Sequence, residues 1–241
     1  MIINPTNYAF IKQALGVSSV FSDLSNNVFN NMLETFRRTS WKKGVLADPD
    51  ALTKEFFLII NGRAIVEAID VHTGKSFTLS ILGPGDGFDV ITLLDNQPHN
   101  VVTSAMEDLD LLHAPVKTVQ QWINQHPEFN DNFMPYLARR MRELEGVTTD
   151  LATSDTATRL ARLILTHTLD KGDNKACHPV RLIHDMSHEA IAHMLGSTRQ
   201  VVNKHIQALR RNHVLDENAK HMKVKNLESL KKHADGFFSH K

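Results

Sequence analysis

Cysteine is almost absent: the 241 residues contain one, Cys177. A lone thiol excludes an internal disulfide framework, a cysteine-ligated iron–sulfur cluster within one chain, and a cysteine-based zinc finger. Cys177 reads as a stray thiol in a polar loop. Long apolar runs are missing too, and none approaches the length of a membrane span. The opening residues MIINPTNYAF lack a basic region followed by an apolar one, so a cytoplasmic chain is expected. There is no glycine-rich phosphate loop, no G-x-S-x-G, no H-E-x-x-H and no recognisable carboxylate pair, so the chain does not read as an enzyme and no catalytic residue is expected. His184, His188 and His193 suggest a metal, but 184 and 188 straddle a helix start, so no metal site is expected.

Net charge is also lacking, with 27 Lys+Arg against 27 Asp+Glu. That zero conceals a split. Residues 1–155 hold 12 basic and 19 acidic residues, whereas residues 156–241 hold 15 and 8, with 10 of the 14 histidines. A basic C-terminal part beside an acidic N-terminal part is the asymmetry expected when one domain meets phosphates and the other does not.

The chain to about Arg38 reads as helical, with Phe10, Ile11, Leu15, Val28, Phe29, Met32, Leu33 and Phe36 at helix-like spacings. From Trp41 to Pro115 short apolar runs take over: FFLII (56–60), AIVEAI (64–69), FTLSIL (77–82), VVTSAM (101–106) and LDLLHA (109–114). FTLSIL alternates, as a strand with one buried face does. Turn signals divide the runs, and Asn61-Gly62 between two of them predicts a hairpin. Many short strands with close turns predict a β-sandwich or roll.

Beyond Pro115 the helical pattern returns: a short helix through Val119, Trp122 and Ile123, then a long one from about Phe129 to Thr153. Leu137, Leu144 and Leu151 recur every seven residues, with Phe133, Met141, Val147 and Thr148 between them. That seam fits two such helices side by side, or one helix packed on its own domain. Ser154 or Asp155 caps a further helix, Ala157 to Leu169, with Leu160, Leu163, Ile164 and His167 inward. Residues 170–180 read as a loop, followed by a short strand from about Val180 to Ile183.

The segment SHEAIAHMLGSTRQVVNKHIQAL (187–209) carries the clearest chemistry. Ser187 is a good N-cap, Ile191, Met194 and Leu195 form an inner face, and Gly196 suits a left-handed helix end. Ser197 begins a second helix with Gln200 completing a capping box. Val202, Ile206 and Leu209 make its core stripe. The opposite face, Thr198, Arg199, Gln200, Asn203, Lys204 and Gln207, is long, polar and free of carboxylates. It suits a helix lying in a DNA major groove. Val214-Leu215 and Met222–Val224 flank the polar turn DENAKH as a hairpin carrying Lys220, His221, Lys223 and Lys225, which makes the motif winged. Asn226 caps a last helix, and the tail KKHADGFFSHK reads as loosely ordered. A different reading is a ligand-binding module whose helical C-terminus docks a protein partner.

This order of parts resembles the CRP/FNR family of bacterial transcription regulators along essentially the whole chain, most specifically from Met186 to Glu217. The resemblance implies an α+β chain: a β-roll effector domain (1–126, of the cyclic-nucleotide-binding, cupin-like kind), a dimerisation helix (127–153), and a winged helix-turn-helix domain (154–241). It implies a homodimer on double-stranded DNA, with RNA polymerase as a partner if the outcome is activation. Arg199, Gln200, Asn203 and Lys204 are the expected base readers. Ser197, Thr198, Lys220 and Lys223 are the expected phosphate contacts, and Phe133, Leu137, Met141, Leu144 and Leu151 the dimer positions. Gln200 stands where many members carry a cytosine-reading glutamate, and glutamine pairs more naturally with adenine. His205 stands where a buried aliphatic residue is usual.

Cyclic-nucleotide-binding members carry a Gly-Glu pair after a Gly-Asp turn and an Arg-Ser pair about ten residues on. Here Asp89 and Val90 fall at the first pair, and Pro98-His99-Asn100-Val101 contains no arginine. Leu144 and Glu145 fall where a Thr-Ser pair meets the adenine. A carboxylate beside a phosphate costs energy on the kcal/mol scale, so cyclic AMP in the usual pose is not expected. An effector pocket would involve Phe88, Asp89, Val90, His99, Asn100 and Leu144. Haem, with His72, His99, His113 or His126 as axial ligand, another small effector, or none remain open.

Overall fold

The computed structural model describes residues 24–70, 72–169, 178–216 and 221–235, together with Ile11, Lys12, Leu15, Ser18, Val20 and Phe21. Phe10, Cys177, Lys220, the loop 170–177 and the end of the tail fall outside those residues. The chain divides into two compact units, Met1–Arg142 and Glu143–Lys241. Among the described residues no helix is long and apolar enough to cross a membrane.

Unit one is built from two antiparallel sheets. The first has strand order β1 (Arg37–Trp41), β6 (Leu109–Pro115), β2 (Glu55–Asn61); the second has β4 (Ser76–Leu82), β3 (Ala64–Ile69), β5 (Val102–Ala105). The FFLII run is buried at every position because β2 faces two cores. Phe56, Leu58 and Ile60 pack with α1 (Asn26–Thr35), α4 (Val116–Gln125) and the start of α5 (Pro127–Thr153). Phe57 and Ile59 point the other way, to Leu82, Phe88, Ala105 and Leu111 between the sheets. Each such side chain contributes about 1.5–3 kcal/mol on burial, so a one-residue slip of β2 would misplace both sets at once.

The expected hairpin at Asn61-Gly62 is not formed. β2 pairs with β6, while β3 pairs with β4 and β5, so the turn carries the chain from one sheet to the other. Gly62 has φ +91°, and a Cβ there would lie 2.6 Å from the Asp108 carbonyl oxygen. The dipeptide is a turn because only glycine fits both demands. Helix α1 ends at Thr35 and β1 starts at Arg37, four residues before the expected change at Trp41. A register shift opposite Val66 and Glu67 breaks the alternation read in FTLSIL, leaving Thr78, Ile81 and Leu82 as its buried positions. Two short helices complete the unit: α2 (Pro49–Leu52) and α3 (Val90–Asp95).

Helix α5 runs unbroken through Pro135 and Gly146. Its first turns belong to the helix-side core of unit one, where Phe129, Phe133 and Tyr136 are buried. Phe133 stacks on Phe129 at 5.7 Å and on Tyr136 at 6.3 Å. Phe133, expected at the dimer seam, is buried in the unit's own core. The exposed apolar residues of α5 are Met134, Met141, Leu144 and Leu151, and Leu137 packs against that core at its edge.

In unit two α6 (Thr156–Thr166) packs against α9 (Leu227–Ala234) and carries buried Leu160, Ala161 and Ile164. Asp155, not Ser154, caps α6 by accepting from the Thr158 amide at 2.8 Å. The strand expected at 180–183 lies earlier: β7 is His178–Pro179, paired antiparallel with β8 (Lys223–Val224). Val180 adds one bridge to Thr168, and Leu182 turns away with φ +53°.

His167 follows α6, and burial pulls its pKa down from 6.5 to about 4, with Arg181 adding to the shift. Between those values the unfolded chain binds a proton that the folded chain refuses. Stability therefore falls as pH drops from 6.5 toward 4, by up to a few kcal/mol. The thermal midpoint should drop between pH 7 and pH 5 more steeply for the wild type than for His167→Gln. Equal drops would exclude this histidine as a cause.

Candidate nucleic-acid interface

Two helices, α7 (His188–Met194) and α8 (Arg199–Arg211), meet at Gly196. The Ser187 hydroxyl accepts from the Ala190 amide at 3.1 Å, and Ile191 and Ala192 are buried. Leu195 closes α7, and Gly196 follows at φ +56°, the left-handed conformation that ends a helix without a Cβ clash. The cap of α8 is Thr198, whose Oγ1 accepts from the Val201 amide at 3.4 Å. Ser197 was expected in that role. With the cap one residue later, Gln200 is the second helical residue and the Ser197–Gln200 capping box does not form.

Val202, Ile206 and Leu209 are buried at 0%, 0% and 5% exposure and lock the roll of α8 about its axis. That leaves Arg199, Gln200, Asn203, Lys204 and Gln207 exposed along one side, with Thr198 exposed and Ser197 half-buried at its head. No carboxylate lies anywhere on α8, while Arg210 and Arg211 in its last turn suit the negative end of the helix dipole. His205 is half-buried and its pKa is lowered mainly by burial, so it fills the aliphatic position as a neutral ring.

His188 enters this face in a way the sequence did not reveal. Its pKa is lowered by burial and by Arg210 and Arg199, against a hydrogen bond with Asn203 that acts to raise it. The contact joins two helices, so no local pattern could have signalled it.

The wing closes on itself and is tied to the segment just before α7. Leu215 bridges Val224, the Asp216 amide donates to the Lys223 carbonyl at 3.0 Å, and the Met222 amide donates to the His184 carbonyl at 2.7 Å. His221 and His184 meet edge to face at 5.2 Å. Lys223 and Lys225 are exposed on the strand and beyond it. Among the described residues no group of three His, Cys, Asp or Glu is placed to hold a metal.

In unit one, the expected effector residues lie in different surroundings. Phe88 is a core ring, 5.5 Å from Trp41 and 6.0 Å from Phe57, Val90 packs against the other core, and Asn100 is exposed. Leu144 belongs to unit two. Asp89 and His99 do meet: the Asp89 carboxylate, 5% exposed, lies 2.9 Å from His99 Nδ1 and accepts from the Thr92 hydroxyl at 2.6 Å. Asp89 caps α3 from a left-handed backbone, φ +43°, at the position where nucleotide-binding members of the resembled family have glycine. A phosphate brought to that cap would face a buried carboxylate, so these residues do not fit a cyclic nucleotide in the usual pose. Of the other histidines weighed as haem ligands, His113 lies 3.1 Å from Glu55 and stacks on Phe57, His72 is exposed in a turn, and His126 is half-buried.

A model of the Crp-like helix-turn-helix domain matches residues 158–233. The chain is 26% identical over 148 residues to a CRP-like cAMP-activated global transcriptional regulator of Mycobacterium tuberculosis, covering 61% of this chain and 65% of that one. It is 27% identical over 217 residues to the global nitrogen regulator of Synechocystis, covering 89% and 93%. It thus spans about two thirds of the mycobacterial relative and nearly all of the cyanobacterial one. In fold it resembles a CooA mutant from Carboxydothermus hydrogenoformans with TM-score 0.70 and 24% identity, covering 90% of this chain and 100% of that one.

The shifted cap has a direct consequence. Thr198→Ala should lower stability by about 1 kcal/mol, whereas Ser197→Ala should cost much less. Thermal unfolding of the two variants measures this, and a larger loss for Ser197→Ala would return the cap to Ser197.

Proposed function

We propose that the chain acts as a homodimeric, sequence-specific DNA-binding regulator of the CRP/FNR type in the bacterial cytoplasm. The observation that carries this reading is α8: a carboxylate-free row of hydrogen-bonding side chains whose direction a buried stripe fixes. Each α8 enters a major groove, with half-sites about one helical turn apart on a roughly palindromic operator. Arg199 and Lys204 offer donors that match the guanine edge, while Gln200 and Asn203 match adenine in two-bond contacts. Ser197, Thr198, Lys220 and Lys223 hold phosphates, which set register without reading sequence. The Thr198 hydroxyl accepts from the helix and keeps its own hydrogen to donate to a phosphate oxygen. The first turn of α8 holds no acid, so a DNA phosphate supplies the negative charge that the helix end favours.

Dimerisation falls to α5 through Met134, Met141, Leu144 and Leu151, with Leu137 at the edge. These recur at heptad-like spacing on a solvent-facing side. The roll of unit one regulates that pairing by shifting the population of binding-competent dimers. Its effector is not cyclic AMP in the usual pose, because Asp89 occupies the cap of α3. Where the outcome is activation, RNA polymerase is the further partner.

Arg199→Ala should weaken binding to the specific operator by about 1–3 kcal/mol and relax the preference at the base it reads. Competition gel-shifts against random duplex would measure both. Equal loss on the two duplexes would overturn its role as a base reader, and an absence of duplex binding even at low salt would favour a protein partner for this face.

A further inference from the structure

The joint between α5 and α6 is only two residues, Ser154 and Asp155, and contains neither glycine nor proline. Two arginines of α6 hold it. Arg159 donates through Nη1 to the Ser154 carbonyl at 2.7 Å and through Nη2 to the Thr156 hydroxyl at 3.3 Å. Arg162 reaches three separate elements with one guanidinium. Its Nη1 pairs with the Asp150 carboxylate on the last turns of α5 and donates to the Ser154 hydroxyl at 3.0 Å. Its Nε donates to the Ala234 carbonyl at the end of α9, at 2.7 Å. Asp150 serves the joint twice, since its carbonyl also accepts from the Ser154 amide at 3.0 Å. The guanidinium is planar and its donors sit in a fixed fork, so satisfying all three acceptors fixes their relative directions as well as their distances.

We propose that Arg162 is a positioning residue for DNA reading, tying the last turns of α5 to α6 and α9 and so setting the half-site spacing that a dimer accepts. This rests on the reading of α5 as the dimer helix and α8 as the base reader. If α5 pairs with its copy, each α8 is placed by the angle between α5 and its own reading head. A stiff joint turns one dimer geometry into one separation of the two α8 helices, and a loose joint accepts several. Because the bonds of Arg162 go to α5, the joint and α9, its loss should change spacing preference while leaving the grip on a single half-site alone.

The test uses the full chain and operators selected from random duplex, rebuilt with the half-sites at the selected spacing, one base pair closer, one base pair farther, and as a single half-site. The wild type should prefer the selected spacing by about tenfold or more. Arg162→Gln and Asp150→Asn should flatten that preference while keeping single half-site affinity within about twofold, less than 0.5 kcal/mol. Thermal melts report whether each variant folds. If Arg162→Gln does not fold, the isosteric Asp150→Asn decides. Unchanged spacing preference in a folded variant overturns this inference alone. A wild type that binds no duplex overturns the functional reading and this inference with it.

Discussion

The rotational setting of one helix is the constraint on which the functional surface depends. Helix α8 has a buried edge of Val202, Ile206 and Leu209, and rotating it forward by a single residue position would drive Asn203, Gln207 and Arg210 into the core. Burying an unpaired charge or amide costs several kcal/mol, more than such a slip could recover elsewhere. The polar row therefore faces outward because the apolar stripe faces inward, and Gly196 allows α7 to close above it without strain. The direction of this polar row is a consequence of packing.

A chain of zero net charge carries a basic C-terminal part because the charge is sorted along the sequence: residues 156–241, which include α8 and the wing, hold 15 of the 27 basic residues. In unit one the informative charge is a buried one. Asp89 accepts a strained backbone and is held by the Thr92 hydroxyl and His99. Such a carboxylate stabilises α3 as its cap and at the same time repels a phosphate. One residue thus caps the helix and sets a negative charge at its N-terminal end.

Helix α5 shows how neighbouring residues of like character divide between two tasks. Phe133 and Met134 are both large and apolar, and periodicity alone admits either to a seam. Aromatic stacking with Phe129 and Tyr136 claims Phe133 for the core, and Met134 is left outside. Farther along, Met141, Leu144 and Leu151 remain exposed.

Local chemistry by itself determined much of this protein. The helix pair around Gly196, the polar row of α8, the strand-rich middle and the long helix all follow from side-chain periodicity, caps and turn residues, which act within a few residues of each other. Tertiary structure decided the rest. Gly62 declared a turn, but which sheet the next strand would join depended on β6, some fifty residues away. Continuous burial of FFLII required two cores, one between the two sheets and one formed where α1, α4 and α5 cover the other face of the first sheet. Ser197 and Thr198 are near-equal caps by chemistry, and the path of the turn at Gly196 chose between them. The contact of His188 with Asn203 and the three-way grip of Arg162 join residues distant in sequence, so neither leaves a local trace. Propensity acts along the chain, whereas pairing, burial and charge contacts act through space, and the second set exists only once the chain has folded.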